Sequence, residues 1–139
     1  MGRFSDLVNS GTTFEGKSVI MTKNVSHAGN SNFEPIGTET NPFKGTFDGN
    51  GYTISGIDIT STGSNIGIFG YVTDATIKNL ITQGTKIQGV GGVGGIVGKG
   101  TGTLEDCINN VPVIGATTEE GKRIGGIAGD FSGTIRYCQ

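Results

Sequence analysis

The sequence predicts an all-β fold: a right-handed parallel β-helix (a β-solenoid) with a short N-terminal capping helix. Three observations predict it. Two short motifs recur in step at a period near 28 residues. Glycine supplies 27 of the 139 residues, with only 3 Pro and no G-X-Y period. That is more than double the average share of roughly 7%, and the missing period excludes collagen. Within the repeats, apolar residues come in short runs bounded by Gly, such as Ile66 to Val72 and Thr85 to Val90. The i, i+3, i+4, i+7 spacing of a helix is absent from them.

Taken in order, Arg3 to Ser10 reads as a short amphipathic helix, with Ser5 as its cap and Phe4, Leu7 and Val8 as its apolar stripe. A solenoid has an open end, and this helix is expected to cover it. Lys17 to Thr22 reads as a strand with Val19 and Met21 on one face. After Phe33-Glu34-Pro35-Ile36-Gly37, the stretch Asn41 to Ile54 contains Asp48-Gly49-Asn50-Gly51, a strong turn signal. Thr53 to Ile59 continues as strand, with Ile57 and Ile59 inward.

The repeats then begin. Gly-Ile-x-Gly occurs at 67–70, 95–98 and 126–129, with starts 28 and 31 residues apart. A second element follows each copy: Ala75-Thr76-Ile77-Lys78-Asn79-Leu80, Gly102-Thr103-Leu104-Glu105-Asp106-Cys107 and Gly133-Thr134-Ile135-Arg136-Tyr137-Cys138. The extra length of the second interval is placed in the polar segment Ala116 to Lys122, expected as a loop. One such repeat is too small to bury its own apolar face, so copies must stack. Strict alternation would send Ile77 and Leu80 to opposite faces. A left-handed corner at Asn79 turns both inward, and Asp106 fills the same slot. Tyr137 departs from this pattern, which predicts a less secure third corner.

The chain is therefore read as one β-helix domain over 1–139: cap and first coils at 1–60, three repeats at 61–139, the last incomplete. Ending inside a repeat, at Cys138-Gln139, it is expected to be a fragment of a longer protein. Ten basic against twelve acidic residues leave a net charge of -2, too even for a nucleic-acid groove or an anionic membrane surface. No apolar run approaches the ~20 residues of a membrane span. Gly2-Arg3-Phe4-Ser5-Asp6 lacks the apolar core of a signal peptide, so a secreted parent would carry its signal elsewhere or have lost it.

The search for chemistry assigns no catalytic, cofactor-binding or metal-ligating residue. His27 stands alone in a polar, turn-like stretch and is expected in a solvent-exposed loop, without a HExxH or Cys–His spacing. Cys107 and Cys138 share one slot in successive copies, where Leu80 sits one copy earlier. They are expected as stacked free thiols, with a disulfide or redox pair as the alternative. The acids Asp48, Asp58, Asp74, Glu105, Asp106, Glu119, Glu120 and Asp130 do not form an evident pair for glycoside hydrolysis. Asp48-Gly49-Asn50-Gly51 lacks the further acids and final Glu of an EF-hand. Gly89 to Gly94 lacks phosphate-loop spacing and reads as strand and corner.

Several stretches resemble the GLUG-repeat proteins of bacterial surfaces, including the GLUG region of immunoglobulin A1 proteases. They are Phe4…Leu7-Val8-Asn9-Ser10-Gly11, Phe14-Glu15-Gly16-Lys17, Pro35-Ile36-Gly37 and Phe43-Lys44-Gly45-Thr46-Phe47-Asp48-Gly49-Asn50-Gly51-Tyr52-Thr53-Ile54, together with the Gly-Ile-x-Gly copies and the two Cys-ending elements. Phe33 stands where such sequences often carry Trp. The resemblance implies a right-handed β-helix on a secreted or surface-anchored protein. It implies no catalytic residues, because the metal site of the protease relatives lies in a separate region. The expected function is a non-catalytic structural or adhesive module that needs no cofactor and presents polar sheet faces and loops to a host or cell-surface protein or glycan. Neighbouring domains of the same longer protein are the other expected contacts. The loops Asn24 to Asn32 and Ala116 to Lys122 are the expected contact sites, because loops carry variation while rungs carry packing. A carbohydrate-active β-helix and a passive spacer are the alternatives.

Overall fold

Short β-prone segments that each bury one face can share a core only by stacking, and the chain does so. A computed structural model describes residues 2–27, 33–115 and 124–139. The elements in chain order are α1 (Gly2–Asn9), β1 (Ser18–Ile20), β2 (Val25–Ser26), β3 (Thr46–Asp48), β4 (Thr53–Thr60), β5 (Ser64–Ile66), β6 (Phe69–Lys78), β7 (Ile81–Gly89), β8 (Gly91–Gly94), β9 (Val97–Glu105), β10 (Ile108–Asn110), β11 (Val113–Gly115), β12 (Ile124–Gly125) and β13 (Ala128–Arg136). They form three parallel sheets: β1-β3-β6-β9-β13, β2-β4-β7 continued by β10 and β11, and β5-β8-β12. Among the described residues, the fold is a β-solenoid with a single short helix at its start.

One repeat is one turn. Phe69 pairs with Val97 and Val97 with Ala128, while Ile77 pairs with Leu104 and Leu104 with Ile135. Both motifs thus keep the register the spacing predicts. Val19, Phe47, Ile77, Leu104 and Ile135 form one column through five rungs. Phe47, Ile77 and Leu104 are buried, Val19 packs partly on the core, and Ile135 at the last rung is 47% exposed. Each fully buried Ile, Leu or Phe contributes about 1.5–3 kcal/mol. Ile57 and Ile59 point inward as expected, as do Ile68 and Ile96, while Ile127, on the last rung, is only partly buried.

The second Gly of each Gly-Ile-x-Gly motif has a steric cause. A Cβ would lie 2.6 Å from Gly37 O at Gly70, 2.5 Å from Asn65 C at Gly98 and 2.5 Å from Val93 N at Gly129. No larger residue fits where the backbones meet. The same corner interrupts Ile66 to Val72, which is not one strand: β5 ends at Ile66 and β6 starts at Phe69. At the other corner, Asn79, Asp106 and Tyr137 have φ of 54°, 53° and 55°. The third corner is therefore kept despite its tyrosine. Asp48 to Gly51 forms the expected turn: Asn50 and Gly51 are both left-handed, and Tyr52 N donates to Gly49 O at 2.9 Å.

The helix differs from its prediction in detail. It starts at Gly2, so Ser5 lies inside it and does not cap it; the buried Ser5 hydroxyl instead donates to Glu34 O at 3.2 Å. Val8 is buried, but Leu7 is exposed, because the eight-residue helix seats on the core through Phe4 and Val8. Phe4 lies 5.2 Å from Phe14 and 5.7 Å from both Phe43 and Phe47, ring centre to ring centre, and so closes this end of the core. Asn9 fastens the helix: its amide donates to Pro35 O at 3.1 Å, and its Oδ1 accepts from Gly37 N at 2.7 Å.

Candidate interaction surface

The outward residues of the first sheet are set by the same register as its core. Ser18, Thr46, Thr76, Thr103 and Thr134 form a column of hydroxyls along the solenoid axis. Two residues further along each strand lies a second column: Asp48, Lys78, Glu105 and Arg136, with the sign of charge alternating at every rung. Rungs are about 4.8 Å apart, so each charge faces its opposite. At the last step Arg136 Nη2 approaches Glu105 Oε2 to 2.7 Å, and this pairing raises the guanidinium pKa above its ordinary value. Lys99 with Asp130, and Asp58 with Lys86, repeat the pattern elsewhere. Opposite charges directly across a sheet stabilise their register, and like charges oppose it. The face is consequently hydroxylated and locally neutral.

The predicted acids are distributed over the surface. Asp48 Oδ1 accepts from Asn50 N at 2.8 Å and from Asn79 Nδ2 at 3.1 Å, holding turn and corner. Asp74 sits at a β-bulge, where its N donates to Thr101 Oγ1 at 2.9 Å. Glu105 is committed to Arg136, and Asp106 occupies the left-handed corner. Glu119 and Glu120 lie outside the described residues, as do 28–32 and 116–122 of the two expected contact loops. Among the described residues, no group of three or more His, Cys, Asp and Glu could hold a metal ion.

His27 is not a freely exposed loop residue. Its backbone N donates to Ser55 O at 2.8 Å, which extends the β2 pairing, and its ring meets Phe33 edge-on at 5.1 Å. The neighbouring polar residues concealed this; β2 pairing with β4 draws the imidazole against the core. Cys107 and Cys138 are both free thiols, Cys107 buried and Cys138 half-buried. Burial pushes the Cys107 thiol up to about 12. Beside Asn9, a shallow hollow of about 220 Å³ is lined by Glu34, Pro35, Thr38, Glu39 and Asn65. It is smaller than the ~300–1,000 Å³ usual for a small-molecule site.

No family model matches the chain, and no solved structure matches it. Two proteins are similar to it. Halomucin of Haloquadratum walsbyi is 38% identical over 114 residues, which is 80% of this chain and 1% of halomucin. A protein of Evansella cellulosilytica named as a Gly-rich membrane protein is 40% identical over 87 residues, which is 61% of this chain and 10% of that protein. The chain thus spans only a small part of either relative. Among the described residues, no helix is long and apolar enough to cross a membrane. A solenoid fold with such relatives is consistent with a structural module of a surface protein.

Proposed function

We propose that this chain is a non-catalytic GLUG-type β-solenoid module of a secreted or cell-surface protein, presenting its hydroxyl-and-charge face to a protein or glycan outside the cell. The observation that carries this reading is the first sheet's outer face, where five successive rungs hold Ser or Thr in one column, beside alternating charges on the last four. Hydroxyls at a constant pitch supply repeated hydrogen-bond donors and acceptors, while mutual neutralisation of the charges leaves no strong field to favour polyanions. No nucleophile–base pair is assigned on this face, and its acids hold turns, corners and ion pairs. The names of the relatives, halomucin and a Gly-rich membrane protein, support a surface setting.

The test is binding of the purified chain to arrays of neutral and acidic glycans and of extracellular-matrix proteins, with and without calcium. The expected result is binding that falls at least tenfold when Thr76 and Thr103 are both changed to Val, with the fold unchanged by circular dichroism. Release of reducing or unsaturated ends from any polysaccharide would overturn the non-catalytic reading. Binding that survives those changes would move the contact to the loops, and silence across both arrays would favour a spacer.

A further inference from the structure

We propose that Asn50 and Gly51 form a self-modification site, at which Gly51 N closes on the Asn50 side chain and expels ammonia, and that the hydrogen bonds of the solenoid corner hold this reaction off while the turn is shut. Asn50 and Gly51 are the central residues of a β-turn: their φ are 55° and 80°, and Tyr52 N donates to Gly49 O at 2.9 Å. Two left-handed central residues make the turn type I′, for which Asn-Gly is a favoured pair. Both residues are exposed. Their turn is held between two rungs, with Met21 on one side and Asn79 on the other.

The pair that suits this turn is also a pair that can react with itself. Gly51 has no side chain to shield its nitrogen, and the Asn50 carboxamide carbon is one ring closure away from it. Three hydrogen bonds keep the two apart. Asn50 N donates to Asp48 Oδ1 at 2.8 Å, which fixes the backbone of the turn. Asn50 Nδ2 donates to Met21 O at 3.4 Å. Gly51 N donates to Asn79 O at 2.9 Å. The attacking nitrogen is thus tied to one neighbouring rung and the amide it would attack to the other. Ring closure has to give up both ties and rotate Asn50 out of its turn conformation, so the reaction runs only through local opening of the corner.

The chemistry needs water alone. Gly51 N attacks Asn50 Cγ, the Cγ–Nδ2 bond breaks, and the proton of Gly51 N leaves with the departing ammonia. Water then opens the five-membered imide at one of its two carbonyls. One opening leaves Asp at position 50; the other leaves isoaspartate, which adds a methylene to the main chain. Either product brings a second carboxylate beside Asp48, whose own oxygen holds the turn and the Asn79 corner. Like charges repel, and the added methylene breaks the turn geometry, so modification marks the corner and loosens it.

The experiment incubates the purified chain at pH 8, folded and in guanidinium, and follows intact mass and peptide maps with time. The expected result is a gain of one mass unit at Asn50, at least tenfold slower in the folded chain. Gly51→Ala should slow the reaction at least tenfold in the denatured chain, which assigns the attacking nitrogen without any demand on folding. Asp48→Ala should speed the folded reaction at least threefold, while Asp48→Ser, which keeps an acceptor for Asn50 N, should stay near the parent. The folded-against-denatured comparison decides the matter even if Asp48→Ala unfolds. Equal rates in the folded and denatured parent, modification in the denatured chain falling first on another Asn, or a folded Asp48→Ala no faster than the parent would each overturn the proposal.

Discussion

Thr82 donates its buried hydroxyl to Asn109 Oδ1 at 2.7 Å, directly above it on the next turn. Asn109 in turn accepts from Val111 N at 3.1 Å and donates to Val111 O at 2.9 Å and Gly126 O at 2.8 Å. One side chain thus satisfies a core hydroxyl and ties β10 to the corner of the following turn. Asn109→Ala strands the Thr82 hydroxyl, and an unpaired buried polar group costs about 1–3 kcal/mol. With the lost corner bonds, the expected destabilisation is about 2–4 kcal/mol in urea unfolding. Adding Thr82→Val removes the stranded group, so the double variant should be more stable than Asn109→Ala by about 1 kcal/mol. A double variant less stable than both singles would contradict the pairing.

Ile96 and Ile135 separate buried from open rungs. Ile96 is completely buried, whereas Ile135 is 47% exposed. Ile96→Asp is expected to cost several kcal/mol, enough to abolish a cooperative melt, because a carboxylate cannot be accommodated in this apolar column. Ile135→Asp should cost no more than about 1 kcal/mol. Thermal melts by circular dichroism distinguish the two; equal midpoints would deny that Ile96 is interior.

Tyr137 holds φ 55° in a slot that Asn79 and Asp106 fill on earlier turns. A bulky side chain in that conformation costs about 1–2 kcal/mol, which Asn relieves through its tolerance of it. Since Tyr137 is 78% exposed, little packing is lost. Tyr137→Asn is therefore expected to raise stability by about 1 kcal/mol, measured as a higher urea midpoint. A lower midpoint would mean that the ring supports the last rung.

The β-solenoid was legible because its period is written twice, in Gly-Ile-x-Gly and in the Ile77-to-Leu80 element, and each has a steric or conformational cause the chain repeats. Val19 and Met21 were legible from alternation alone. Ser5 was misread because a serine near a helix start signals a cap, while its real partner, Glu34 O, lies 29 residues away. His27 was misread for the same reason: its local neighbours are polar, and its ring partner is Phe33. The charge column was hidden, since Asp48, Lys78, Glu105 and Arg136 become neighbours only once the register is known. The individual acids could be seen; their partners could not.

That column makes a prediction of its own. Glu105 lies between Lys78 and Arg136, so Glu105→Lys would put three positive charges on successive rungs. Exposed charges interact weakly and are screened by salt. The expected result is a melting temperature lowered at low ionic strength and largely restored by 1 M salt. Glu105→Gln should change it far less. A loss that salt does not restore would point to packing and not to charge.

Alkaline pH offers a test of the core through Cys107. Its thiol is raised from 9.0 to about 12 in the folded chain, first by burial, opposed by a backbone hydrogen bond at Leu80 and assisted by the neighbouring Cys138. Below pH 9 both folded and unfolded chains hold this proton, so the stabilising contribution is fully present. Above pH 9 the unfolded chain releases the proton while the folded chain keeps it, so the unfolded state binds fewer protons and stability falls as pH rises. The loss continues until the pH passes about 12 and amounts to something on the order of 4 kcal/mol, at roughly 1.4 kcal/mol per pH unit. Other groups titrate in the same range, so the comparison is with Cys107→Val, which keeps the column apolar and has no proton to lose. Urea unfolding at pH 8, 9, 10 and 11 should show the parent losing stability faster than this variant from pH 9 upward. Parallel curves would mean that the Cys107 thiol is reached by solvent and is not sealed between Leu80 and Cys138.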